Sequence, residues 1–283
     1  MPIATIRGAN IIYDVIGTSG PWVALSPGGR RDRGAVADMA ERIAAKGYRV
    51  LIHDRRNCGL SDVSIEGDDS EYEIWADDLY ELLKQRNALP AYVGGSSSGS
   101  RLSLLLALRH PDAVKGLLLW RITGGRFACE RLAADNYTQY IEAAQQGGMK
   151  AVCGLAHFKD ICAANPSNLG TLIRLDPQRF IAVMTRWRET FLASVDLPIV
   201  GATEAELQSI KIPAVVIPGN DKTHPMAAGL NAARLIPGAE LKPIWDKDVD
   251  AAMAPPEDWA AKEDTIATIL TDFLTRTESR VTA

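Results

Sequence analysis

The sequence predicts an α/β fold, a mostly parallel sheet with helices on both faces. Short apolar runs alternate with amphipathic stretches along most of the chain, and parallel strands require such crossovers. One junction, Gly95-Ser96-Ser97-Ser98-Gly99, fits Gly-x-Ser-x-Gly between a strand-like run and a leucine-rich helix. That turn lifts a serine hydroxyl above an apolar sheet. From about 127 to 207 the alternation stops and helical periodicity takes over, which marks an insertion.

In chain order, Ile3 to Arg7 and Ile11 to Ile16 read as an opening hairpin around Gly8-Ala9-Asn10. Trp22 to Leu25 is strand-like, Gly34 to Lys46 helical, Tyr48 to His53 strand-like and Ile74 to Gln85 helical. Leu89 to Val93 enters the serine turn, and the helix from Arg101 to His110 is halted by Pro111. Val114 to Trp120 is the sixth strand. Within the insertion, Tyr137 to Ala144, Met149 to Ala156 and Phe180 to Leu192 carry helical spacing. Ala214 to Ile217, a helix from Pro225 to Leu235, Glu240 to Trp245 and a closing helix from Glu257 to Arg276 complete the alternation. The expected division is a core of 1–126 and 208–283 with a helical cap of 127–207.

With 283 residues, 47% of them apolar, the chain can bury one large core. A net charge of −4 gives no electrostatic case for nucleic acid or anionic membranes. No stretch approaches the roughly 20 apolar residues of a membrane helix, and Met1 to Arg7 lacks the pattern of a signal peptide. Cys58, Cys129, Cys153 and Cys162 show neither metal-ligand spacing nor a disulfide framework. The expectation is a cytoplasmic protein with no metal and no cofactor, acting on a small molecule; self-association into a homo-oligomer is left open.

Taken together, several landmarks resemble the α/β-hydrolase family over essentially the whole chain. They are Leu25-Ser26-Pro27-Gly28-Gly29, Asp54-Arg55-Arg56-Asn57-Cys58-Gly59-Leu60-Ser61-Asp62, the serine turn, His110-Pro111-Asp112-Ala113-Val114, and Pro218-Gly219-Asn220-Asp221-Lys222-Thr223-His224-Pro225. The resemblance implies an eight-stranded, mostly parallel sheet with a helical cap between the sixth and seventh strands and a pocket above Ser97. It makes Ser97 the nucleophile, the N–H groups of Gly29 and Ser98 the oxyanion hole, and Asp221 the acid. Helix capping before Pro225 is the structural alternative for Asp221.

The departure concerns the base. The resemblance puts a histidine in the loop after the last strand, yet 246–256 holds three aspartates, Asp246, Asp248 and Asp250, and no histidine. An unassisted serine is a poor nucleophile. Among four histidines, His53 and His110 suit packing or capping, His157 lies in the insertion, and His224 follows Asp221 by three residues. His224 is the best substitute; against it stand its closeness to the acid in sequence, which works against bridging acid and serine, and the structural role open to a His-Pro at a helix start, and a carboxylate is the other candidate.

Arg30, Arg31 and Arg33 follow the oxyanion loop, and Trp120-Arg121 ends the sixth strand where α/β sheets bind ligands. A guanidinium there can hold a carboxylate through paired hydrogen bonds. Trp120, Arg121, Arg30 and His157 are therefore the candidate substrate-binding residues, with a carboxylate-bearing substrate in view. The leading reading is a cofactor-free serine hydrolase of a small ester, lactone or C–C-cleavable carbonyl compound. A silent ligand-binding homologue and a cofactor-independent lyase are the alternatives.

Overall fold

The computed structural model describes residues 1–281. Eight strands form one sheet: β1 (Ile3–Ile6), β2 (Ala9–Ile16), β3 (Trp22–Ser26), β4 (Arg49–His53), β5 (Ala91–Ser96), β6 (Val114–Trp120), β7 (Ala214–Ile217) and β8 (Glu240–Leu241). Their order is β1-β2-β4-β3-β5-β6-β7-β8. The opening hairpin is antiparallel and β2 runs antiparallel to β4, while every later pairing is parallel. This is the eight-stranded, mostly parallel sheet expected.

Alternating side chains of the inner strands feed two separate cores. Ala24, Leu51, Val93, Leu117, Leu119 and Val216 pack on one face. Val23, Leu25, Val50, Ile52, Leu118, Trp120 and Ile217 pack on the other. A period of two with both partners apolar is what a sheet covered on both sides requires. Helix α1 (Ala37–Ala44) and the closing helices cover the second face, whereas α2 (Glu71–Gln85) and α3 (Ser98–Arg109) cover the first. Ser70 starts α2 with a reciprocal capping box to Glu73, worth about 1 kcal/mol.

Between β6 and β7 lie α4 (Arg126–Ala133), a wider turn at Ala134–Thr138, α5 (Gln139–Cys153), α6 (Ala156–Ala164), α7 (Ser167–Ile173), α8 (Pro177–Leu192) and α9 (Glu204–Ser209). Trp187 and Phe191, four apart on α8, are buried against the first face; the Trp187 indole donates to the Asp69 carbonyl at 3.0 Å. Helix α10 (Met226–Leu235) follows β7.

Two expected elements differ from the sequence reading. Only Glu240–Leu241 of the run to Trp245 pairs with β7, because Pro243 has no N–H to continue the ladder. The closing helix is two pieces, α11 (Pro256–Ala260) and α12 (Glu263–Val281), and the break sets Trp259 where its indole donates to Asn220 at 3.0 Å. No helix among the described residues is long and apolar enough to cross a membrane.

Candidate active site

Parallel pairing brings the C-terminal ends of β3, β5, β6 and β7 to one edge, and every group of the site hangs from those ends. Ser97 joins β5 to α3 with φ 55° and ψ −113°. A non-glycine residue there stores about 1–3 kcal/mol of strain. The flanking glycines follow from the close approach of β3. A Cβ on Gly95 would lie 2.2 Å from the Ser26 carbonyl oxygen, and one on Gly99 would lie 2.0 Å from it. The Ser97 N–H donates to the Trp120 carbonyl at 3.1 Å, which ties the turn to β6.

The loop after β7 folds back on itself. Asp221 Oδ1 accepts from the backbone N–H groups of Thr223 at 3.0 Å and His224 at 2.8 Å, an Asx-type turn. Gly219 makes room for it, since a Cβ there would sit 2.0 Å from the His224 carbonyl oxygen. The fold-back lays the imidazole beside the carboxylate three residues earlier. His224 Nδ1 lies 2.9 Å from Asp221 Oδ1, and Nε2 lies 2.8 Å from Ser97 Oγ. With Nδ1–H donating to the carboxylate, Nε2 is left to accept from the serine hydroxyl.

His224 thus spans acid and serine despite the short separation along the chain, and two of the three loop aspartates are engaged elsewhere. Asp248 instead accepts from the Met226 N–H at the start of α10, at 2.9 Å. Exposed Asp250 pairs with Lys222 at 2.5 Å. The loop 246–256 has become a prop: Lys222 and Thr223 donate backbone N–H bonds to the Ala251 and Ala252 carbonyls, and Val249 donates to Asn220.

Asp221 Oδ2 accepts from Ala254 N–H at 3.0 Å and from Arg121 at 3.2 Å. Burial opposes its ionisation, yet the hydrogen bond and charge of His224 and the backbone N–H groups hold its carboxyl well below the usual range. Burial pushes the His224 imidazole down as well; the Asp221 hydrogen bond opposes this, while Arg121 and Arg131 reinforce it. A neutral imidazole held between a serine hydroxyl and a fixed carboxylate is able to take and return a proton.

A cavity of about 330 Å³ opens above Ser97, lined by Gly28, Gly29, Ser98, His224 and, from the insertion side, Leu132, Asp135 and Asn136. Its size is at the small end for ligand pockets. A second cavity of about 300 Å³ shares Arg31, Ser96, Arg121 and Pro256 with it.

Of the four expected substrate contacts, Arg121 does line the Ser97 cavity, with a guanidinium N–H on Asp221 and its guanidinium 4.6 Å from the Trp259 ring centre, and the other three are placed elsewhere. Arg30 is buried in an ion pair with Glu71 at 2.8 Å, between the rings of Tyr137 and Tyr140, and does not line the Ser97 cavity. His157 packs on Tyr140 and Phe158, where burial pushes its pKa down to about 3, and it too is absent from the lining. Trp120 points to the second face and lines only the adjoining cavity. His53 is buried and His110 is stacked on Tyr80, as their sequence contexts imply. Thr123, whose hydroxyl lies 3.4 Å from Ser97 Oγ, was not foreseen, because nothing in its sequence context distinguishes it.

Residues 21–123 match a family described as alpha/beta hydrolase fold. The uncharacterized hydrolase YraK of Bacillus subtilis (strain 168) is 38% identical over 109 residues, covering 38% of this chain and 40% of that protein. The chain thus spans about two fifths of that relative's length in the match. The enol-lactonase from Burkholderia xenovorans LB400 superimposes with a TM-score of 0.63 at 23% identity over 97% of this chain and all of its own. A thermophilic esterase from Thermogutta terrifontis does so with a TM-score of 0.65 at 18% identity over 98% of both chains.

Proposed function

We propose that this chain, which has the α/β-hydrolase fold, is a serine hydrolase of small esters or lactones in which one loop supplies both acid and base. The observation that carries the reading is the pair of contacts from His224, 2.8 Å to Ser97 and 2.9 Å to Asp221. Ser97 Oγ attacks the substrate carbonyl while His224 Nε2 takes its proton. The N–H groups of Ser98, at the start of α3, and Gly29 receive the oxyanion. His224 then protonates the leaving alkoxide, which departs as the alcohol from an ester or stays tethered as a hydroxyl on the acyl chain of a lactone, and an acyl-serine remains. Water attacks that ester, His224 takes the water proton, and its return to Ser97 restores the enzyme. Asp221 stays ionised throughout and fixes the Nδ1–H tautomer.

In this reading the helices of 127–207 are a cap over the pocket, and Leu132, Asp135 and Asn136 are its contribution to the lining. The structural neighbours described as a lactonase and an esterase lend support to the substrate class. The silent-binder alternative took its force from a missing base, and the His224 contacts with Ser97 and Asp221 weigh against it. The test is turnover of 4-nitrophenyl acetate together with fluorophosphonate labelling. Labelling that maps to Ser97, and turnover abolished in Ser97→Ala, are expected. A parent protein that neither labels nor turns over activated esters would sink the reading.

A further inference from the structure

Four arginines follow the ends of β3 and β6, Arg30, Arg31, Arg33 and Arg121, and three of them are matched by carboxylates. Arg30 pairs with Glu71 at 2.8 Å, Arg33 with Asp54 at 2.9 Å and with Asp14, and Arg121 with Asp221 at 3.2 Å. Arg31 is the exception. No described residue gives its side chain a hydrogen bond or ion pair, and it is exposed to both cavities at the wall they share. The carboxylates that line these spaces do not answer it. Asp135 faces Arg131 at 3.6 Å, and Glu263, in the adjoining cavity, makes no ion pair with Arg31. The cationic charge is felt within the site: Arg31 acts against Arg121, and Arg121 and Arg131 act against protonation of His224.

An unmatched guanidinium beside a serine nucleophile, in a wall of net positive charge, is a receptor for a carboxylate. We propose that the substrate of the Ser97 site is an anionic ester, such as the half-ester of a short dicarboxylic acid, and that Arg31 binds its free carboxylate. This rests on the hydrolase reading and deepens it. The cavity of about 330 Å³ limits the anionic arm to a few carbons.

The test compares kcat/KM for two matched pairs of esters. In one the carboxylate is on the acyl side, mono-4-nitrophenyl glutarate against 4-nitrophenyl butyrate. In the other it is on the leaving group, 4-acetoxybenzoate against phenyl acetate. The parent is expected to favour the anionic partner at least tenfold in one pair. Arg31→Gln should collapse that ratio about tenfold or more, chiefly through KM, and Arg31→Lys should restore part of it. Arg126→Gln, a surface arginine 65% exposed, should leave the ratio unchanged. Absence of preference in both pairs, or a ratio indifferent to Arg31→Gln, overturns the proposal. Should no ester be turned over, the hydrolase reading fails separately. Calorimetric titration of Ser97→Ala with glutarate then decides, since binding lost in Ser97→Ala/Arg31→Gln is expected and binding indifferent to Arg31 contradicts it.

Discussion

Replacing Arg121 by Met should move the base of the reaction to higher pH. In the proposed mechanism His224 is a base only when neutral, so kcat/KM should rise with pH through its pKa. In the parent that pKa lies below the usual imidazole value, first through burial and then through the charges of Arg121 and Arg131, against the pull of Asp221. Arg121 and His224 hold opposite oxygens of one carboxylate. Two like charges at an effective dielectric of about 20 repel by about 4 kcal/mol at 4 Å and by about 2 kcal/mol at twice that distance. At about 1.4 kcal/mol per unit, the repulsion at the longer distance, which suits two groups on opposite sides of one carboxylate, corresponds to about 1.5 pKa units; relaxation of solvent and of Asp221 brings the expected rise to about one unit. Arg121→Met should therefore lose about tenfold in kcat/KM on the acid limb and recover toward the parent on the alkaline plateau. Arg121→Lys, which keeps the charge, should hold the parent limb, whereas a role in packing alone would affect both variants at every pH. The assay is the pH–rate profile on 4-nitrophenyl acetate. An acid limb that stays in place or shifts downward in Arg121→Met refutes the electrostatic account.

Asp248→His, which places a histidine in the loop after β8, should not raise ester turnover, because His224 already fills the space beside Ser97; loss of the Met226 N–H bond should lower the urea-derived stability by about 1 kcal/mol. Gly219→Ala brings a methyl group against the His224 carbonyl, so activity should fall by more than tenfold, and an unchanged rate would mean that the Asx-type turn does not position the imidazole. Arg30→Met leaves Glu71 buried without its cation and should cost about 3 kcal/mol in denaturant midpoint measurements. A stable Arg30→Met protein with impaired substrate binding would instead restore the contact role read from the sequence.

Much of the fold was readable because its signals are local. The two-residue alternation, the helix-ending Pro111 and the small residues around Ser97 each report a backbone requirement met within a few positions. The shortened β8 was readable too, had Pro243 been weighed as a lost donor. The base was harder. Gly219 and Asp221 encode the turn that returns His224 to the carboxylate, but Asp221 before a proline also reads as a plain helix cap, and separation along the chain hides proximity created by a fold-back. Arg30 was harder for a different reason. Its partner Glu71 lies 41 residues away, as Asp221 lies 100 residues from Arg121, and only the assembled sheet edge brings each pair together. Elimination of the paired arginines, which sequence cannot perform, is what leaves Arg31 unmatched.

The central claim, that Ser97, His224 and Asp221 work as one unit, is tested most directly by a double-mutant comparison of ester hydrolysis. His224→Ala and Ser97→Ala should each lower kcat/KM on 4-nitrophenyl acetate by about 10²–10⁴-fold with folding retained. The double variant should be no slower than the worse of the two, because removing either member already disables the other. A His224→Ala protein within about threefold of the parent, or a double variant whose losses simply multiply, would contradict the account.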